Sequence, residues 1–400
     1  MSCDVRLMLG DCLDRMGEVA DGSVDAIICD PPYGISFLGR EWDHGVPGVP
    51  FWEAALRVAK PGAHLVAFGG TRTYHRLTCA IEDAGWEIRD CLVWLYGQGM
   101  PKGKHVLKPG WEPILLARKP PVGSVARNVA EYGCGGLNVD GCRIAMTQEN
   151  ADFIRKTARP NTAGRVHIGN VMNRPAAPTV NIHDQGRWPA NVVLAHTPEC
   201  RAVGVKKVKG TNPPGPNRQK TGFSQGWTRT SSVLCYADHD GTETVEAFEC
   251  SEDCPVRMLD EQAGERTGDS LTRKPRVKAK EKFGWSGPAS MDYQTSGFTD
   301  TGGASRFFYC SKASPSERGV DNFHPTVKPI ALMRWLVRLV SPPGSVVLDP
   351  FAGSCSTGIA CLDEGMRFLG IEKDPDYHAI GMKRLAAHRD SMPLLAGVAS

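Results

Sequence analysis

The chain has 400 residues, with 47 Lys and Arg against 44 Asp and Glu for a formal net charge of +3, and 41% of its residues are hydrophobic. That length exceeds what one hydrophobic core usually serves, so two domains or one large domain with an insertion are expected. No apolar run approaches the roughly 20 residues that cross a bilayer, and no basic-then-apolar leader opens the chain, so a cytoplasmic protein with no membrane partner is expected. The fourteen cysteines are spread through strand-like runs and loops, unlike the dense pattern of a small secreted scaffold. Free thiols, with some metal ligands among them, are the expectation.

In chain order, short apolar runs alternate with amphipathic stretches. Strands are predicted at Val5–Leu9, Ala26–Cys29, His64–Phe68 and Ile88–Leu95, and helices at Phe51–Ala59 and Tyr74–Ala84. From 120 to 301 the text turns to Pro, Gly, Asn, Ser and Thr without sustained periodicity, which predicts a loop-rich inserted domain outside the regular sheet. The earlier pattern returns as a helix at Ile330–Val340, a strand at Val346–Leu348, a helix at Ser356–Asp363, a strand at Phe368–Ile371 and a final helix after Pro375. Strands alternating with helices imply an α/β fold: a mostly parallel twisted sheet with helices on both faces, divided as 1–119, 120–301 and 302–400.

Chemistry is most clearly specified at Asp30-Pro31-Pro32-Tyr33, directly after an apolar strand. A strand ending in Asp puts that carboxylate at the carboxyl edge of the sheet, where open α/β folds bind ligands. The two prolines hold the backbone extended and leave carbonyl oxygens as acceptors, and Tyr33 adds a flat π-face. The set suits a planar amine, with Asp30 and the Pro31 carbonyl accepting its N–H bonds; the plainer alternative is a proline-punctuated strand exit.

A second segment, Val346 to Gly358, runs from strand through Asp349-Pro350-Phe351-Ala352-Gly353-Ser354 into a helix. Gly353 allows close backbone approach and the turn exposes helix N-terminal amides, which suits a nucleoside cofactor. Glu372 ends the next strand, placed to accept ribose hydroxyls. Neither a dinucleotide glycine fingerprint nor a Walker lysine is present.

Together these segments resemble the S-adenosylmethionine-dependent DNA amino-methyltransferases of adenine N6 or cytosine N4. The Asp-Pro-Pro-Tyr turn precedes the cofactor turn, as in the β group. The resemblance extends to Gly10-Asp11-Cys12-Leu13, Leu107 to Pro113, Arg306 to Cys310 and His324-Pro325-Thr326-Val327-Lys328-Pro329. It implies a Rossmann-like methyltransferase fold, with 1–119 as the catalytic half and 302–400 as the cofactor-binding half. It further implies catalysis at Asp30, Pro31, Pro32 and Tyr33. Asp11, with Cys12 beside it, would lie near the cofactor adenine, Glu372 on the ribose, and Asp349, Phe351, Ala352, Gly353 and Ser354 around the remainder. Thr326 and Lys328 would close that pocket.

Hydrogen bonds from the target amine to Asp30 and Pro31 would localise its lone pair for in-line attack on the sulfonium methyl. The base must first leave the stacked duplex, at a cost of roughly a few kcal/mol. Asp in the first motif position is associated in this family more with adenine, so N6 is expected, with cytosine N4 as the alternative. RNA or protein methylation, or a noncatalytic DNA-binding role, fits less well. Double-stranded DNA is the expected partner. The β group also makes a homodimer and a companion restriction endonuclease expectations.

The insertion is then expected to recognise the target. From Arg201 to Cys235 it carries Lys206, Lys207, Lys209, Arg218 and Lys220 with no acidic residue, and a second tract holds Arg273, Lys274 and Arg276. Such tracts neutralise phosphates, or are simply solvated loops. His196 and Cys200, with Cys250 and Cys254 some fifty residues later, form two knuckle-like pairs suited to a tetrahedral Cys₃His zinc site. Coincidence is the rival reading, and Cys134, Cys142 and Cys235 are alternative ligands.

Overall fold

The structure is a computed structural model that describes residues 4–36, 43–96, 105, 107, 109–144, 188–197, 199–209, 242–264, 266–267, 301–302, 304–312, 322–324 and 326–391. The first third of the chain forms β1 (Val5–Leu9), α1 (Cys12–Gly17), β2 (Val24–Cys29), α2 (Val49–Val58), β3 (Ala59–Phe68), α3 (Tyr74–Asp83), β4 (Glu87–Leu95), β5 (Trp111–Arg118) and α4 (Val125–Tyr132). The middle contributes β6 (Val192–His196), β7 (Arg201–Lys209), β8 (Thr242–Glu249), α5 (Pro255–Ala263), β9 (Arg266–Thr267) and β10 (Thr301–Gly302). The last part forms β11 (Tyr309–Lys312), α6 (Ile330–Val340), β12 (Val346–Asp349), α7 (Ser356–Asp363), β13 (Arg367–Glu372) and α8 (Pro375–Ser391).

Every residue of β2 is buried, the pattern of a parallel strand covered on both faces. From Ala26 onward its side chains alternate: Ala26 and Ile28 pack with Val66, Phe68 and α6 on one face, whereas Ile27 and Cys29 pack with Leu65, Ala67, Trp52 and Ile81 on the other, and Val24, before a register shift, joins that second face. α6 buries Leu332, Met333, Trp335, Leu336, Val337, Leu339 and Val340, each stabilising by roughly 1.5–3 kcal/mol. On the opposite face the Trp86 indole donates to the Trp52 carbonyl at 3.0 Å, and the Trp52 indole donates to the Pro47 carbonyl at 3.1 Å.

The main sheet has nine strands in the order β1-β13-β12-β2-β3-β5-β4-β6-β11. All pairings are parallel except the two that β5 makes with β3 and β4. From the adjacent β12 and β2 the chain winds in opposite directions, β12 to β13 through α7 and β2 to β3 through α2. The junction of β12 and β2 is therefore the topological switch point, outside whose carboxyl ends open α/β sheets bind ligands. Buried Asp25 of β2 stitches this junction, accepting from the Val346 amide at 2.8 Å.

Predicted elements of the two ends agree with the observed ones to within a few residues. The expectation that nothing between 120 and 301 joins the sheet is corrected. β6 lies within that range and pairs with both β4 and β11. Its run of Val192, Val193, Leu194 and Ala195 is too short to stand out from its surroundings, and becomes a strand only when β4 offers it a partner. The start of the same range also packs on the core. Asn128 of α4 is buried and donates to the Pro61 and Cys134 carbonyls at 2.8 and 2.7 Å. β7 and β8 form a separate antiparallel ribbon. No helix among the described residues is long and apolar enough to cross a membrane.

Candidate active site

Four adjacent parallel strands deliver four carboxylates to one edge of the sheet. Asp11 follows β1, Glu372 ends β13, Asp349 ends β12 and Asp30 follows β2, in the spatial order of those strands. At about 4.8 Å per strand, the row is on the order of 15 Å long.

Each member of the row is differently held. Asp11 caps α1, accepting from the Leu13 amide at 3.0 Å and from Lys373 at 3.1 Å. Burial works to raise its pKa, but these donors prevail and hold it below the usual value. Glu372 accepts from the Gly353 amide at 2.7 Å and the Asp374 amide at 2.8 Å, and burial pushes its pKa up. Asp349 is 2% exposed; burial pushes it up to about 7, against the lowering effect of bonds from the Thr357 hydroxyl and the Phe351 amide.

The turn between Asp349 and α7 is tightly wound. Gly353 has φ +49°, and a Cβ built there meets His324 Nε2 at 2.8 Å. His324 lies against the turn with Nδ1 2.8 Å from the Thr326 carbonyl, and burial lowers its pKa. Gly353→Ala is expected to displace His324 and strain the turn, lowering cofactor affinity by about tenfold or more in calorimetric titration, with the melting temperature falling by only a few degrees.

The remaining expected cofactor residues divide. Phe351 packs against Phe51 and Trp52 at 6.3 Å between ring centroids. Ala352 is buried, with its amide on the Ile371 carbonyl at 2.9 Å, and Ser354 is buried under Arg384. Cys12 packs in the core beside Met16, and burial pushes its thiol up to about 12.

At the other side of the switch point, Asp30 has both oxygens engaged. Oδ1 accepts from the Tyr33 hydroxyl at 2.8 Å and Oδ2 from Lys328 Nζ at 2.8 Å. Pro31 is buried, and the Tyr33 carbonyl accepts from the Thr73 hydroxyl at 2.6 Å, which fixes the turn. Lys328, expected to close the cofactor pocket, sends its ammonium to the Asp30 turn, because Pro329 starts α6 beneath β2 and β3. That ammonium lies 4.8 Å over the Phe68 ring. Burial pulls the Lys328 pKa down, but the neighbouring carboxylates prevail and hold it above the usual value.

Glu112, at the start of β5, completes this group. Its Oε2 lies 3.1 Å from the Tyr33 hydroxyl and 3.3 Å from Lys328 Nζ. Glu112 falls within the Leu107 to Pro113 stretch, where its local sequence assigns it no role. The available signal was a carboxylate beside Trp111 at the head of an apolar run, which became informative only once β5 was placed next to β3.

The expected metal ligands come together. His196 ends β6, Cys200 precedes β7, Cys250 follows β8 and Cys254 caps α5, and their ligand atoms all lie within 4.8 Å of one another. His196 Nδ1 is 3.5 Å from both Cys250 Sγ and Cys254 Sγ, with Phe248 stacked on its ring at 3.9 Å. Cys134 and Cys142 lie elsewhere, against Pro61 and Trp335, and Cys235 is outside the described residues.

The expected DNA-contacting residues are less completely placed. Lys206 and Lys207 are exposed on β7 and Lys209 ends that strand, whereas Arg218, Lys220, Arg273, Lys274 and Arg276 lie outside the described residues. β8 sets Glu243, Glu246 and Glu249 opposite Val208, Val205 and Arg201, so the positive strand is partly offset by its neighbour.

A family model described as DNA methylase, of the N6/N4 methyltransferase type, matches residues 24–383. The chain belongs to this DNA methylase family. The match takes in Asp30, Asp349 and Glu372, three of the four carboxylates of the row, and begins after Asp11. DNA adenine methyltransferase YhdJ of Escherichia coli strain K12 is 47% identical over 62 residues, covering 16% of this methylase and 21% of that protein. Type II methyltransferase M2.DpnII of Streptococcus pneumoniae is 38% identical over 68 residues, 17% of this chain and 25% of that one. The matched stretch therefore spans a quarter or less of each of these relatives. Among solved structures, the M1.HpyAVI–SAM complex aligns over 95% of this chain and 100% of that chain with 16% identity and a TM-score of 0.39. The cytosine-N4-specific PvuII DNA methyltransferase aligns over 97% of this chain and 90% of its own with 12% identity and a TM-score of 0.40. Likenesses this distant carry no argument about the methylase's chemistry.

Proposed function

We propose that this methylase transfers the methyl group of S-adenosylmethionine to N6 of an adenine flipped out of duplex DNA. The observation that carries the reading is the carboxylate row, which sets Asp30 one strand from Asp349 across the switch point.

S-Adenosylmethionine presents an ammonium, two ribose hydroxyls and an adenine amine along its length, and a row of acceptors matches those donors. Asp11, Glu372 and Asp349 would hold them, with Gly353 allowing the backbone to come close. The cofactor supplies an activated methyl on a sulfonium. At Asp30, the carboxylate and the Pro31 carbonyl accept N–H bonds from the target amine, so its lone pair points at the methyl, and Tyr33 offers a face for stacking. Adenine is favoured by Asp in the first motif position.

Incubating the protein with labelled S-adenosylmethionine and mixed-sequence duplex DNA, then separating nucleosides, is expected to yield N6-methyladenine. N4-methylcytosine would move the assignment to the other base, and no methylated nucleoside would remove the reading.

Asp349 makes cofactor binding depend on pH. In the free protein its carboxyl stays protonated up to about pH 7, and a ligand ammonium beside it favours the ionised form. Binding then releases a proton, so affinity rises as the pH rises towards 7, by up to about tenfold per unit, and levels off above it. Calorimetric titration between pH 5.5 and 8.5 tests this, and Asp349→Asn is expected to flatten the profile.

The Cys₃His cluster is assigned here to a structural zinc ion. Three thiolates and an imidazole are the donor set of closed tetrahedral sites, and the surrounding apolar cluster of Leu194, Cys200, Cys254 and Val256 is too small to order the region alone.

A further inference from the structure

We propose that Lys328 occupies the seat of the target amine in the resting protein, and that Glu112 takes over Lys328 when the base enters. This rests on the amino-methyltransferase reading above.

Asp30 has one acceptor oxygen turned to Tyr33 and the other to Lys328, each at 2.8 Å. Each oxygen keeps a second lone pair, but an amine that takes the full strength of Oδ2 competes with the charged donor already on it, and the exchange displaces Lys328. Lys328 Nζ is chemically the nearest likeness of the amine, a nitrogen donor already at hydrogen-bond distance from Asp30 Oδ2. Its side chain is 8% exposed, and Phe68 covers it at 4.8 Å, so water does not readily solvate a displaced ammonium. An ion pair opened in such a place leaves a poorly compensated charge unless another carboxylate is at hand.

Glu112 is that carboxylate. Its Oε2 already stands 3.3 Å from Lys328 Nζ and 3.1 Å from the Tyr33 hydroxyl, within reach of both groups that occupy Asp30. A shift of a few tenths of an ångström brings Lys328 into a full bond with Glu112. The same acceptor can take the Tyr33 hydroxyl, leaving the ring to stack on the base. The two carboxylates and one ammonium carry a formal charge of −1 before and after the exchange, so base entry requires no proton to move. Glu112 is thus a positioning residue: it holds the lysine while Asp30 holds the amine.

The test compares Glu112→Gln, Lys328→Met and the double variant for KM towards duplex DNA, kcat and calorimetric cofactor affinity. Glu112→Gln, nearly isosteric, leaves Lys328 with Asp30 as its one carboxylate, and is expected to raise KM for DNA about tenfold with cofactor affinity unchanged. Lys328→Met removes the competitor and is expected to leave that KM at or below the wild-type value. The double variant is expected to recover most of the Glu112→Gln loss, and Glu112→Asp part of it. Should Lys328→Met not fold alone, the double variant, which restores the net charge, carries the comparison. Raised KM in both single variants would reveal a role in charge balance alone, and additive losses in the double variant a merely structural one; either overturns the exchange. A wild-type protein that methylates no duplex sinks the underlying reading together with the exchange, whereas an active wild type with additive losses sinks the exchange alone.

Discussion

Asp30→Ala is expected to lower methyl transfer to duplex DNA by a factor on the order of 10³ while leaving S-adenosylmethionine affinity within about twofold. The separation follows from the sheet. Asp30 lies across the switch point from Asp349 and beyond the three carboxylates assigned to the cofactor, so its removal leaves Asp11, Glu372 and Asp349 on their own strands. As the methyl transfers, the amine becomes more acidic and donates more strongly, so an acceptor at Asp30 stabilises the transition state more than the bound base. Lys328 retains Glu112 as a partner in the variant, which limits the folding penalty. Methyl incorporation measured beside calorimetric cofactor binding checks both halves, and activity within tenfold of wild type would remove Asp30 from the chemistry.

Loss of the proposed zinc ion is expected to have the largest effect on stability. Each of the four ligands stands at the end of a different element: β6 of the main sheet, the two strands of the β7–β8 ribbon, and α5. One ion held there would join the ribbon to the main sheet, and structural zinc binding amounts to on the order of 10 kcal/mol. The ribbon leaves Val203 and Val205 exposed, so apolar packing supplies little of its order. The purified protein is expected to carry stoichiometric zinc. Cys254→Ser is expected to lose the metal, open the ribbon to limited proteolysis and weaken DNA binding by about tenfold or more, with cofactor affinity retained. Protein that purifies without metal, and a Cys254→Ser variant as protease-resistant as wild type, would turn the cluster into a set of neighbouring thiols.

Much of this site was readable from local text because its parts are local chemistry. Asp-Pro-Pro-Tyr describes its own backbone: two prolines and a strand-terminal carboxylate need no distant partner to define a row of acceptors. The helices at Ile330–Val340 and Ser356–Asp363 announced themselves by apolar repetition and were observed with those bounds. The knuckle pairs were legible because ligand spacing within each pair is short, and the fold had only to bring the two pairs together.

Other parts had no local signal. β6 is a five-residue strand in a Pro- and Gly-rich setting, and strand formation depends on a neighbour's edge more than on intrinsic preference. Lys328 reads as a first-turn lysine beside a cofactor motif; its ion pair with Asp30 crosses 298 positions of sequence. Glu112 had no visible role until β5 was inserted antiparallel between β3 and β4.

By itself, the sequence determined which side chains stand at the ends of strands, the alternation of strand and helix, and the pairing of ligands within each knuckle, because these follow from backbone chemistry and periodicity within a few residues. Only the tertiary structure decided that Asp11, Glu372, Asp349 and Asp30 form one row, and that Lys328 and Glu112 close around the last of them. Strand order and side-chain reach are set by packing between segments hundreds of residues apart, where burial makes one charge depend on another.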